Sequence, residues 1–164
     1  MRDDATGRIL TIHESRAVPW LSVALGFGPM LPFVAGAVAA WGLAGDPGRM
    51  AVTLTLLWGC AILLFFSGVR RGISFRTEGG ATTAQIATML ALFVLGLGAL
   101  LGLMLGRAAI AAALLIAGYG LVAVLDPIAA RRGEAPLFFA RLRPVQMPLA
   151  LASLAALLVR IMQS

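Results

Sequence analysis

Lysine and asparagine are absent from this 164-residue sequence, cysteine and histidine occur once each, and acidic residues number only seven. One cysteine, Cys60, excludes an intrachain disulfide and a cysteine-based zinc site. The single histidine, His13, sits in a polar N-terminal tail and reads as a solvated side chain. Charged residues make up 12% and apolar residues 60%, against about 25% and 45–50% in an ordinary soluble domain. A soluble chain of this size could not hide that much apolar surface, so lipid must be the solvent for most of it. All thirteen basic residues are arginine, a pattern that suits a GC-rich bacterial genome. The net charge of +6 raises the question of nucleic acid. The arginines lie between apolar runs with no folded basic domain to present them, and no nucleic-acid partner is expected.

Catalytic material is equally scarce. There is no paired carboxylate set, no serine–histidine–acid set and no HExxH. The candidate acids and bases reduce to Glu14, Glu78, Asp126 and Glu134, all near one membrane interface. No Asp, Glu, Lys or His falls at mid-depth of an apolar run, where ion-coupled transporters hold such groups. The expectation is a protein that is not an enzyme and that has no cofactor, no metal and no catalytic residue.

What the sequence does contain is five long apolar runs, about 18–43, 50–69, 83–105, 108–125 and 145–161. A helix needs about 20 such residues to cross the hydrocarbon core. The reading is an all-α polytopic membrane protein, five transmembrane helices in one bundle, with a polar tail over 1–17 and a membrane domain over 18–162. Only Gly106 and Arg107 separate the third and fourth runs, which predicts an antiparallel hairpin. No internal repeat of the kind that builds many transporters is visible.

The arginines give direction. Arg2, Arg8, Arg16, Arg70, Arg71, Arg76, Arg131, Arg132, Arg141 and Arg143 fall on one side, and Arg49, Arg107 and Arg160 on the other. By the positive-inside rule the N-terminus is cytoplasmic and the C-terminus outside, which suits a multi-pass protein of the bacterial inner membrane. Arg160, near the end of the fifth run, is expected to snorkel outward. A cleaved signal peptide is the competing reading of the first run, because "AGAVAAWG" offers small residues at a suitable spacing. The length of that run and Asp3, Asp4 and Glu14 ahead of it argue against cleavage.

Three features inside the spans stand out. In "GFGPMLPF", Pro29 and Pro32 interrupt the first helix and release the carbonyls of Leu25 and Gly28. They mark a static kink or, with Tyr119, a polar path. In the third span Gly98, Gly102 and Gly106 recur every four residues and predict a packing face. Ala109, Ala113 and Ala117 offer a matching stripe on the fourth, and the tight turn implies that the stripes meet within one chain. Finally, Trp20, Ser22, Ser67, Arg70, Arg71, Gln85, Thr88, Asp126 and Gln146 gather at the cytoplasmic ends. They read as interfacial anchors or as the lining of a shallow basic pocket, in which Asp126 could pair with Arg70. Arg70, Arg71, Arg76, Arg131, Arg141 and Arg143 are the candidate contacts to lipid phosphate or an acidic partner. In "APLFFARLRPVQMP", Leu137, Phe138 and Leu142 are expected to enter the membrane while Arg141 and Arg143 stay with phosphates, as in a short interfacial helix. Pro144 and Pro148 would punctuate the entry to the fifth span.

Three stretches together, "PWLSVALGFGPMLPF", "WGCAILLFFSGVRRG" and "APLFFARLRPVQMPL", resemble the domain of unknown function 3429 family, which includes the mitochondrial transmembrane protein 69. The resemblance covers about residues 17 to 162. It implies a small five-helix protein of bacterial inner membranes and mitochondria with no settled activity. Where family members show Gly-x-x-Trp-Gly at the end of the second span, this chain has Arg71. Where they show Trp-Tyr, it has Phe138–Phe139. The function expected is a non-catalytic accessory, assembly or lipid-organising factor for a membrane complex. Its partners would be anionic headgroups on the cytoplasmic side and another membrane protein. A small-solute or lipid transporter or channel is the alternative.

Overall fold

A chain immersed in hydrocarbon must satisfy its own backbone, and helices do so within each segment. The computed structural model describes residues 20–75, 80–132, 135 and 138–163, and all of its elements are helical. Helix α1 (Trp20–Phe27) passes through a 3-10 turn at Gly28–Met30 into α2 (Leu31–Gly42), and together they form the first span. The others are α3 (Gly45–Ser74), α4 (Thr83–Met104), α5 (Ala108–Arg131) and α6 (Phe139–Met162). Among the described residues five spans are long and apolar enough to cross a membrane, so the chain is a multi-pass α-helical membrane protein. At 1.5 Å per residue α3 is about 45 Å long, well beyond the ~30 Å hydrocarbon layer.

The ends of these helices follow local rules. Helix α4 opens with a capping box, in which Gln85 N–H donates to Thr82 Oγ1 at 3.2 Å and Thr82 N–H to Gln85 Oε1 at 3.1 Å. It closes with a Schellman turn: Arg107 N–H donates to the Gly102 carbonyl at 2.7 Å and Gly106 N–H to that of Leu103 at 3.0 Å. Gly106 carries the left-handed φ of 69° which that turn requires. The α4–α5 hairpin is therefore fixed by backbone chemistry.

Neighbours in sequence are neighbours in space. Helices α2, α3, α4, α5 and α6 contact one another in that order, α6 returns to pack on α2, and α3 touches α5 across the middle. With five alternating spans, α2 and α6 run parallel along their shared seam. At the centre Tyr119 is 0% exposed. Its ring meets Phe33 edge-on at 5.3 Å and Phe66 at 6.3 Å, and its hydroxyl donates to the Gly59 carbonyl at 3.0 Å. A buried tyrosine with its hydroxyl bonded to a neighbouring backbone joins α5 to α3 without leaving a polar atom in hydrocarbon.

Small residues set how closely helices approach, though on different lines from those expected. A Cβ on Gly36 would lie 1.8 Å from Thr55 Oγ1, and one on Gly118 would lie 2.3 Å from Leu63 Cδ2. Of the expected glycine stripe, Gly102 faces Ala111, with a Cβ separation of 3.6 Å, and Gly98 faces Leu114 at 3.4 Å. Gly106 belongs to the turn instead. On α5, Ala109 is half-buried, and Ala113 and Ala117 are exposed, so the proposed matching stripe does not form. The buried line is Ala111, Leu115, Gly118, Val122 and Ala129. At 3.6 residues per turn, each four-residue step drifts about 40° around the helix. A packing face therefore alternates threes and fours.

Candidate functional site

The polar ends of α3, α5 and α6 converge on one carboxylate. Asp126 is 6% exposed and lies near the C-terminal end of α5, just ahead of Pro127. Arg70, in the penultimate turn of α3, donates through Nη2 to Asp126 Oδ1. Arg143, in the second turn of α6, is also 6% exposed, and its Nε stands 2.9 Å from Asp126 Oδ2. That contact is an ion pair without the alignment of a hydrogen bond. Arg70 Nε is buried without a hydrogen-bond partner. Among the described residues, two guanidinium groups share one carboxylate, so the group carries one unit of surplus positive charge.

Arg143 is held on every side. Its guanidinium carbon lies 4.5 Å from the Phe66 ring centre and 4.6 Å from that of Phe139. Ring faces attract a desolvated cation by about 2 kcal/mol. Its Nη1 donates to Gln146 Oε1 at 3.0 Å, and Gln146 Nε2 donates in turn to the Gly26 carbonyl in α1. A connected polar chain thus runs from α3 through α5 and α6 to the first span. Taking a charge out of water costs several kcal/mol, and only a network of this kind offsets it.

Two spaces border this chain. A cavity of about 20 Å³, room for one water, is lined by Arg70, Gln85, Asp126, Arg143, Phe66 and Phe139 among others. Phe66, Val69, Phe139 and Arg143 also wall a cleft of about 220 Å³ that reaches Gly26, Pro29 and Gln146. Leu25 and Phe65, both exposed on the outside of the bundle, are among its lining residues.

The candidate arginines therefore part company. Arg70 and Arg143 join at Asp126. Arg71 turns away, with its guanidinium 4.1 Å from the Phe75 ring and Nη1 donating to Ser74 Oγ at 3.2 Å. Arg131 and Arg141 are exposed. Arg76, Glu14, Glu78, Glu134, His13 and Leu137 lie outside the described residues. The expected interfacial helix is corrected: Leu142 is buried in the bundle and Arg143 is ion-paired within it, because α6 begins at Phe139 and runs through Pro144 and Pro148. Arg143, Gln146, Met147 and Ala150 occupy one buried face at three- and four-residue spacing. That spacing was the available signal for placing Arg143 inside.

Pro29 and Pro32 do break the first span. The freed Gly28 carbonyl accepts from Leu31 N–H within the 3-10 turn, and Trp58 Nε1 donates to the Pro29 carbonyl at 2.9 Å. Tyr119 does not line the cleft. At the opposite end Arg160, expected to snorkel, donates through Nε to the Ala40 carbonyl in the last turn of α2 at 3.2 Å.

Comparison with curated proteins finds no match, nor does comparison with solved structures. A family model described as "Protein of unknown function (DUF3429)" matches residues 18–159, which hold all of the polar chain from Gly26 to Gln146. The chain belongs to that family, DUF3429.

Proposed function

We propose that this protein is a non-catalytic accessory factor of the bacterial inner membrane, with its N-terminus in the cytoplasm, that organises lipid or helps to assemble a membrane complex. The observation that carries this reading is the Arg70–Asp126–Arg143 group. Its charges are directed at one another and tie three helices together near one membrane face. Other interior polar groups are used in the same way: Tyr119 on Gly59, Ser67 on the Met89 carbonyl at 3.0 Å, and Gln146 on Gly26. Side chains committed to internal bonds suit a scaffold better than a reaction centre. The bias of arginines toward one side supports the orientation.

The alternative, a carrier or channel, draws on the cleft that reaches the Pro29 break. Its walls are mainly apolar, and Tyr119, which would extend a polar path, bonds to the Gly59 backbone instead. The deciding experiment compares membranes with and without the chain by blue-native electrophoresis, alongside solute flux into proteoliposomes holding the purified protein. Altered assembly of a membrane complex, restored by re-expression and without flux, is the expected result. Protein-dependent flux with unaltered complexes would overturn the accessory reading in favour of transport.

A further inference from the structure

Resting on the lipid-organising reading above, we propose that the cleft between the Gly26–Pro29 break, α3 and the start of α6 holds one acyl chain of an anionic phospholipid. The phosphate is drawn to the positive charge that Arg70 and Arg143 leave over Asp126.

Four observations meet at this place. The first is charge. Among the described residues the group carries two cations and one anion, and an uncompensated buried charge is destabilising. An anion at the cleft's inner end removes that cost, whereas a zwitterionic headgroup also brings a cation toward like charge. The second is shape. At about 220 Å³ the cleft is about eleven times the 20 Å³ of the neighbouring one-water cavity, and Ile62, Phe65, Val69, Phe138 and Leu142 make its walls apolar. A free phosphate ion would leave those walls bare, and the 20 Å³ cavity behind them is too small for it.

The third is depth. Arg70 lies four residues before the end of α3, Asp126 five before that of α5, and Arg143 four after the start of α6. At 1.5 Å per residue that is about 6–8 Å inside the helix ends, within reach of a headgroup phosphate whose chain enters the bilayer. The fourth is access, since Leu25 and Phe65 of the cleft's lining are exposed apolar side chains on spans that cross the bilayer. Arg143 forms part of the wall of both spaces and is the one cation among the described residues that line the cleft, and Gln146, whose Oε1 accepts from it, lines the cleft beside it.

The test is native mass spectrometry of the protein released from nanodiscs of phosphatidylcholine mixed with palmitoyl-oleoyl phosphatidylglycerol. The wild type should retain one phosphatidylglycerol with about tenfold preference. Arg70→Gln leaves Asp126 paired with Arg143 and removes the surplus charge, so the preference should fall to near unity while the helical spectrum is kept. Arg71→Gln, outside the group, should retain it. Ile62→Trp fills the cleft without touching the charges and should reduce retention of either lipid. Equal retention of both lipids by the wild type would overturn the proposal. So would an equal fall in Arg70→Gln and Arg71→Gln, which would mark diffuse surface attraction. Inorganic phosphate that raises the unfolding temperature in detergent as much as phosphatidylglycerol does would also overturn it, since the chain would then contribute nothing. Complex assembly that depends on the protein, seen together with equal lipid retention, removes this site and leaves the accessory reading standing.

Discussion

Arg143 Nε lies 2.9 Å from Asp126 Oδ2, and that pair locks the first turns of α6 to the last turns of α5. The two partners are not equivalent. Asp126 serves two arginines, so removing it strands both. Asp126→Ala should lose about 3–5 kcal/mol of stability, the usual cost of leaving a buried charge unpaired. Arg70→Gln should lose less, because Arg143 still neutralises the carboxylate. Unfolding of both variants in mixed detergent micelles gives the comparison, and an Asp126→Ala protein as stable as the wild type would contradict the pairing.

Tyr119 separates the contribution of packing from that of hydrogen bonding at the centre of the bundle. Tyr119→Phe keeps the ring contacts with Phe33 and Phe66 and deletes only the bond to Gly59. The expected loss is about 0.5–1.5 kcal/mol. Tyr119→Ala opens a cavity and should lose about 3–5 kcal/mol. The same unfolding assay should rank the two in that order.

The glycines of α4 give an internal control. Alanine at Gly102 would meet Ala111 at 3.6 Å, an ordinary contact, so Gly102→Ala should be nearly neutral. Gly106→Ala meets no neighbour, yet it forces a side chain into a left-handed backbone, at a cost of about 1–2 kcal/mol. A larger loss at Gly102 than at Gly106 would mean that packing, not the turn, controls this hairpin.

Gly36 tests close approach between α2 and α3. A Cβ there would overlap Thr55 Oγ1 at 1.8 Å, so Gly36→Ala should destabilise by about 1–3 kcal/mol through overpacking. Thr55→Ala added to it should recover part of that loss, since the obstruction is a side chain. Thermal unfolding of the single and double variants checks the recovery.

Topology is open to direct measurement. With an odd number of spans, reporter fusions at the two termini should report opposite compartments, with the N-terminal reporter cytoplasmic. Both reporters on one side would contradict five crossings.

Much of this architecture was legible because hydrocarbon leaves so few choices. Runs of apolar residues long enough to cross a bilayer must be helices, and the Gly106–Arg107 turn could only make a hairpin. The meeting of Arg70 with Asp126 was readable too, since their spans end on the same side. The burial of Arg143 was hidden because Pro144 and Pro148 look like boundaries, whereas α6 runs through both. In lipid a helix that has begun is kept through a proline, because the unpaired backbone of an irregular segment is worse. The alanine stripe failed on geometry, because strict four-residue spacing is not the helical period.

The seam between the first and last spans has a consequence for how the chain is made. Trp41 reaches the Ala156 carbonyl, Gln146 the Gly26 carbonyl and Arg160 the Ala40 carbonyl, each joining segments more than a hundred positions apart. None of these bonds can form until the ribosome has delivered the final span. During synthesis, then, the growing protein is an open arc whose two edges wait for each other, and the fifth span is the latch that shuts it.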